Sequence, residues 1–300
     1  MTGSLDNKTA HFIIYILRGN ICLAALENEA PNIQGMMKMP KSTVYGPVAS
    51  WRLGRSLGID LLCTEQKTCN FDCIYCQLGS TAKPVTERQE FVQLTKLSDD
   101  VQAAKGVEVD CVTFAGMGEP TLASNLGPAI NLVKSALGLP VVVFTNGAML
   151  KREDLRRDLC LADTIIVKMD APDVRLFERI NRPAPGITLP EILQGLQALR
   201  LEFKGKLIID VMLTDLNRGY GNALQFNVRC GAPDQVQLNT PLRQSCMRPL
   251  RQEEVEDVRK KWFWNFKAIT VYDKRLPVWT TALDEEETEL RQPTKPKAQG

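Results

Sequence analysis

From Gly58 onward, short runs rich in β-branched residues alternate with stretches of helical period, and this alternation most constrains the fold. The strand candidates are residues 59–63, 111–115, 141–145, 164–169, 207–213 and 236–238. Helical stretches lie between and after them, at 97–104, 129–137, 152–161, 189–203, 221–229 and 253–264. Parallel strands need a crossover connection long enough to hold a helix, so the pattern predicts βα units around a parallel sheet. Six strands, each followed by a helix, predict an α/β fold: an open, partial (β/α)6 barrel of TIM type with parallel strands. A doubly wound sheet is the competing arrangement. At 300 residues and 44% hydrophobic, the chain can bury a core of that size.

Both ends depart from this pattern. Residues 1–40 carry no clear period and end in Met36, Met37 and Met39. They read as an N-terminal extension to a core of residues 41–273. Residues 274–300 read as a polar C-terminal tail, with an acidic run at 284–287 followed by Pro293, Lys295, Pro296 and Lys297. No stretch approaches the roughly 20 apolar residues of a membrane-spanning helix. The apolar run 12–17 lacks the basic lead-in of a signal peptide, so the expected location is the cytoplasm, with no membrane partner. A net charge of +2 neither demands nor excludes a nucleic-acid partner.

Four of the nine cysteines, Cys63, Cys69, Cys73 and Cys76, crowd into one short segment. Secreted disulfide scaffolds spread their cysteines along short chains, so a cluster in a chain this long reads as a metal site in a reducing compartment. The only histidine is His11, which excludes catalytic triads, Cys–His pairs and His-rich zinc sites in the body of the fold. Cys69-x3-Cys73-x2-Cys76 follows the first strand candidate. Three thiolates can ligate three irons of a 4Fe–4S cluster, whereas an electron-carrying cluster normally takes four, so one iron is left open. Tyr75 supplies an aromatic wall beside it. Cys63, six residues upstream, leaves a second reading open: four thiolates could close a structural zinc site or a redox-only cluster.

The run Lys67-Thr-Cys-Asn-Phe-Asp-Cys-Ile-Tyr-Cys-Gln-Leu-Gly79 resembles the signature of radical S-adenosylmethionine enzymes. Further segments resemble that superfamily in the same chain order: Gly116-Met-Gly-Glu-Pro120, Phe144-Thr-Asn-Gly147, Val167-Lys-Met-Asp-Ala-Pro172 and Arg179-Ile-Asn-Arg-Pro183. The resemblance extends from about residue 45 to about 273 and is nearest to the wybutosine-synthesis-like iron–sulfur oxidoreductases. It implies a 4Fe–4S cluster on Cys69, Cys73 and Cys76 whose open iron chelates S-adenosyl-L-methionine. One electron, from a donor such as flavodoxin or ferredoxin, would cleave the cofactor to a 5′-deoxyadenosyl radical that abstracts hydrogen from substrate. Gly116, Gly118 and Glu119 would hold the methionine amino group. Met117 stands between glycines that many relatives have adjacent.

Strand parity places further candidates. Lys168 and Asp170 share a face of their strand, as do Phe144 with Asn146, Ile208 with Asp210 and Met212, and Gln235 with Gln237 and Asn239. Turning these partly polar faces inward predicts a polar lumen, with Val143, Val167 and Val211 under the helices. Asn146, Asp170 and Asn239 then fall near the cofactor, and Lys168 is expected to pair with Asp210, since a lone buried lysine is costly. An open barrel without a lid favours a macromolecular substrate, RNA or protein. Arg52, Arg55, Arg243, Arg248, Arg251, Lys274 and Arg275 are candidate docking residues, with mutually balanced surface charge as the alternative. The rival functions are an activase that places a glycyl radical on a protein and a non-catalytic iron–sulfur or zinc module.

Overall fold

The computed structural model describes residues 39–243, 245–273 and 282–293. The N-terminal extension, apart from residues 39 and 40, lies outside the described residues. Among these described residues, eight strands form one sheet in chain order: β1 (Val44–Ser50), β2 (Gly54–Ile59), β3 (Cys111–Phe114), β4 (Val141–Thr145), β5 (Thr164–Lys168), β6 (Lys206–Met212), β7 (Gln235–Asn239) and β8 (Ala268–Thr270). β1 runs antiparallel to β2, and every later pair is parallel. The helices are α1 (Leu94–Ala103), α2 (Leu126–Leu137), α3 (Glu153–Leu159), α4 (Val174–Ile180), α5 (Leu189–Glu202), α6 (Gly221–Cys230), α7 (Gln252–Trp262) and α8 (Glu285–Arg291). The result is an open, curled half-barrel with the predicted βα alternation at its centre.

The strand sequences explain both faces. VVVFT in β4 and TIIVK in β5 are apolar almost throughout, as strands buried on two sides require. Val112, Val143, Val167, Val211 and Leu238 join the main core packed with the helices. Cys111, Val142, Ile166 and Ile208 form a separate apolar cluster with Leu53 and Phe144 on the opposite face. Two clusters on two faces are what the period-two argument anticipates. Toward the strand C-termini the inner face turns polar, through Asn146, Lys168, Asp170 and Asp210.

Three departures from the sequence reading bear on how the sheet is closed at its ends. The first parallel strand lies at Gly54–Ile59 rather than 59–63. Asp60 ends it, because its Oδ1 accepts the backbone N–H groups of Leu62 (3.0 Å) and Cys63 (3.2 Å), a side-chain turn that competes with the sheet. β1 and β8 add strands at the two edges. The third departure is α8, which forms inside the stretch read as a polar tail. Asp284 caps it, accepting from Glu287 N at 3.1 Å, and Thr288 Oγ1 accepts from Gly46 N of β1 at 2.9 Å. Arg291 is fully buried: its Nε donates to Asp60 Oδ2 (2.9 Å) and its Nη1 to Glu287 Oε2 (2.7 Å). The docked face of α8 is ionic, so no apolar stripe announces it in the sequence.

No helix among the described residues is long and apolar enough to cross a membrane.

Candidate active site

The loops at the C-terminal ends of the parallel strands bring the cysteine segment and the four other motifs together. Cys69 is buried, and Cys73 and Cys76 are half-buried. Two backbone braces hold their loop. On one side Thr68 N donates to Met117 O (2.8 Å) and Glu119 N donates to Thr68 O (3.0 Å). Gly118 makes this approach possible: at φ 154 a side chain is disfavoured, and a Cβ there would fall 1.7 Å from Thr68 O. A Cβ on Gly116 would fall 2.3 Å from Asp60 Cγ. On the other side Ile74 N donates to Ile180 O (3.0 Å), Asp72 N to Arg182 O (3.0 Å) and Ala184 N to Asn70 O (2.8 Å). The segment after α4 therefore pairs with the cysteine loop.

Cys63 points elsewhere. Its Sγ donates to Asp60 O (3.2 Å) and accepts from Arg291 Nη2 at 3.6 Å. Burial, with the Asp60 charge beside it, pushes this thiol up to about 12. It is part of the Asp60–Arg291 cluster that docks α8. Among the described residues, no three His, Cys, Asp or Glu side chains converge as one metal ion would require. Thiols around a multi-iron cluster need not converge on a point, whereas ligands of a zinc ion must. Asn70 Nδ2, in the residue after Cys69, is buried without a hydrogen-bond partner among the described residues. A buried N–H donor beside a thiol fits an acceptor such as a cluster sulfide. The donor set thus fits a three-thiolate iron–sulfur cluster. Burial raises the Cys73 thiol to about 12 and pushes Cys69 upward as well, so ligation by cations is needed to hold them as thiolates.

Tyr75, Asp170, Lys168 and Asp210 form one connected network. The Tyr75 hydroxyl donates to Asp170 Oδ2. Lys168 Nζ lies 3.1 Å from Asp170 Oδ1, donates to Asp210 Oδ2 at 2.8 Å and sits 5.4 Å from the Tyr75 ring centroid. Lys168 and Asp210 are register partners on β5 and β6, and the expected pairing is present. Burial alone would pull the lysine down, but the Asp170 and Asp210 charges reverse that and raise it. Asp210 is held below the carboxylate range, as Arg52 and Lys168 outweigh the opposing effect of burial. Asn181, from the Arg179-Ile-Asn-Arg-Pro183 motif, joins the network by donating to Asp170 Oδ2 at 3.0 Å. Phe71, Asn146, Lys168, Asp170, Asn181 and Leu189 line a small pocket there.

Asn146 Nδ2 donates to Asn70 Oδ1 (2.6 Å), tying β4 to the cysteine loop. Glu119 is buried: Oε1 accepts from the Thr121 and Thr145 hydroxyls (2.6 and 2.8 Å), and Oε2 from Asn146 N (2.8 Å). Burial raises its carboxyl, and these hydrogen bonds work against the rise. The Glu119 side chain thus also ties the Gly116–Glu119 turn to the end of β4. Asn239 is buried at the end of β7, and its Oδ1 accepts from Thr240 N at 2.9 Å. It is not among the residues lining the pocket.

Sequence reasoning missed two participants. Asn181 lies in the Arg179–Pro183 motif, and nothing local in the sequence marks its amide as a donor to Asp170. Arg52, read as a docking residue, enters the lumen from the β1–β2 turn and donates to Asp210 Oδ1 at 2.9 Å, with its guanidinium over Trp51. Of the other basic candidates, Arg55 pairs with Glu108 and Asp110, and Arg248 with Asp215 and Glu254. Arg251 lies 3.7 Å from Glu254, and Lys274 and Arg275 are outside the described residues. The mutually balanced reading describes Arg55, Arg248 and Arg251, but not Arg243, which is half-buried and whose proton affinity is lowered by burial and by the nearby Arg52 charge.

The family model for the radical SAM superfamily matches residues 66–225. A UPF0026 protein of Synechocystis sp. is 40% identical over 211 residues, which cover 70% of this chain and 78% of the relative. Among solved structures, anSMEcpe with bound AdoMet matches with a TM-score of 0.55 at 18% identity, over 72% of this chain and 64% of that one. An archaeal TYW1 matches with a TM-score of 0.50 at 14% identity, over 71% of this chain and 72% of that one. At these identities the solved structures share the fold, and the likeness to the wybutosine group rests on the sequence motifs.

Proposed function

The chain belongs to the radical SAM superfamily, whose enzymes use a 4Fe–4S cluster and S-adenosylmethionine, and from that premise we propose that it abstracts hydrogen from one residue or base of a macromolecule. When bound, the two cofactors supply one-electron cleavage of the sulfonium carbon–sulfur bond and a 5′-deoxyadenosyl radical. The chain's own residues hold and shield that chemistry. Cys69, Cys73 and Cys76 would carry three irons and leave the fourth for the amino acid end of S-adenosylmethionine. The turn from Gly116 to Glu119, which has no side chain at either glycine, would let backbone approach that end. Tyr75, Asn146, Lys168 and Asp170 would meet its polar atoms. Asn239 would contact the nucleoside or methionine portion, on strand parity alone. The apolar cluster of Cys111, Val142, Ile166 and Ile208, with Leu53, would close the other side of the lumen to water.

The observation that carries the proposal is the three-cysteine loop braced against the Gly116–Glu119 turn on one side and the 180–184 segment on the other, above a charged lumen. A flavodoxin or ferredoxin suits the electron supply. A cytoplasmic location fits the free thiols of all described cysteines.

The balanced arginines weaken the case for broad electrostatic docking of RNA, so recognition would rest on the mouth of the half-barrel. The test compares transfer RNA nucleosides and peptide masses from cells with and without the gene. Loss of one modified nucleoside or one modified peptide supports the proposal and names the substrate class. Unchanged macromolecules with one accumulating metabolite would replace it with a small-molecule reaction.

A further inference from the structure

We infer that Asn181 is a positioning residue that donates a hydrogen bond to the Cys73 sulfur and raises the reduction potential of the cluster, an inference that rests on the cluster reading above. Asn181 is 4% exposed, so its amide protons must find partners inside the protein. Its Nδ2 has three acceptors within reach: Asp170 Oδ2 at 3.0 Å, the Tyr75 hydroxyl at 3.4 Å and Cys73 Sγ at 3.6 Å. An amide nitrogen carries two protons. One serves the Asp170 carboxylate, the nearest and most strongly accepting group. Tyr75 spends its own proton on the same carboxylate oxygen. The second amide proton is then shared between the phenol oxygen and the sulfur, and a thiolate outcompetes a neutral hydroxyl as acceptor.

The backbone keeps the amide in place. Asn181 O accepts from Asp72 N at 3.1 Å, Asn181 N donates to Phe177 O at 2.9 Å, and Ile180 O accepts from Ile74 N at 3.0 Å. Donor and thiol therefore sit on paired segments and move together. Asn146 Nδ2 stands in a similar relation to Cys69, spending one proton on Asn70 Oδ1 at 2.6 Å, but its sulfur is farther away at 3.8 Å. Reduction adds negative charge to the cluster and its sulfurs, so an N–H donor aimed at a ligating sulfur stabilises the reduced state more than the oxidised one.

The test is an EPR-monitored redox titration of reconstituted wild type, Asn181→Leu and Asn181→Ala without S-adenosylmethionine. Wild-type protein that takes up no cluster refutes the underlying reading, and the inference with it. With clusters bound, the variants should show a lower midpoint potential. Poised at the wild-type midpoint, their reduced-to-oxidised ratio should fall about three- to tenfold, tenfold being about 59 mV for one electron. Loaded variants with the wild-type midpoint overturn the inference and leave the cluster reading intact. Failure of both variants to hold a cluster overturns it too, because Asn181 would then be an anchor of the loop rather than a donor to a bound cluster.

Discussion

Arg291→Ala should destabilise the protein far more than a substitution in a polar tail. The Arg291 side chain is 0% exposed and the carboxylates it serves, Asp60 and Glu287, are 1% and 4% exposed. Burial alone would lower the arginine's proton affinity, yet Asp60 and Glu287 raise it, so it is the counter-charge of the site. Removing it leaves two buried carboxylates without their shared counter-charge, a loss of about 3–5 kcal/mol for a broken buried pair. For a chain of this size, with a urea m-value near the upper end of about 1–3 kcal/mol/M, the midpoint should fall by roughly 1 to 1.7 M. Arg291→Met combined with Asp60→Asn and Glu287→Gln should recover at least half of that, since the uncompensated charges are gone. The assay is urea unfolding followed by circular dichroism. A loss below about 1 kcal/mol, the range of an exposed pair, would refute the reasoning and put α8 back among dispensable surface elements.

Gly118→Ala should disrupt the cysteine loop, because the added methyl would meet Thr68 O at 1.7 Å; iron uptake should fall severalfold while far-ultraviolet circular dichroism stays near wild type. Unchanged uptake would show that the turn can shift away. The Asp210 carboxyl is held low by Arg52 and Lys168 against the effect of burial, so its contribution to stability is complete above the unfolded value of about 3.9 and is lost as pH falls through the lower folded value. Asp210→Asn should therefore flatten the decline of stability below about pH 4, which urea titrations at several pH values will measure.

The parallel sheet was legible in the alternation of short apolar runs with helical stretches, and the shared facing of the polar residues near the strand ends followed from period two. The Lys168–Asp210 pair followed from the same period, since both residues lie on one face of neighbouring strands. α8 and Arg52 were not legible, for a shared reason. Each is placed by a charge pair between residues distant in sequence: Arg291 with Asp60, and Arg52 with Asp210. Residue type alone marks such arginines as surface groups. Asn181 was visible as part of a motif, but its role depends on the segment after α4 pairing with the cysteine loop, which no local pattern encodes. The first strand was placed too late because the apolar run through Leu61 and Leu62 continues past the Asp60 turn.

The central claim is that three thiolates hold the cluster and Cys63 does not. Its most direct test measures 5′-deoxyadenosine formed from S-adenosylmethionine by reduced, reconstituted wild type and by Cys63→Ala, Cys69→Ala, Cys73→Ala and Cys76→Ala. The account predicts loss of product in the last three and most of the wild-type yield in Cys63→Ala, whose thiol is bonded to Asp60 O and Arg291. A Cys63→Ala protein that loses its cluster and its product as completely as Cys69→Ala would contradict the account.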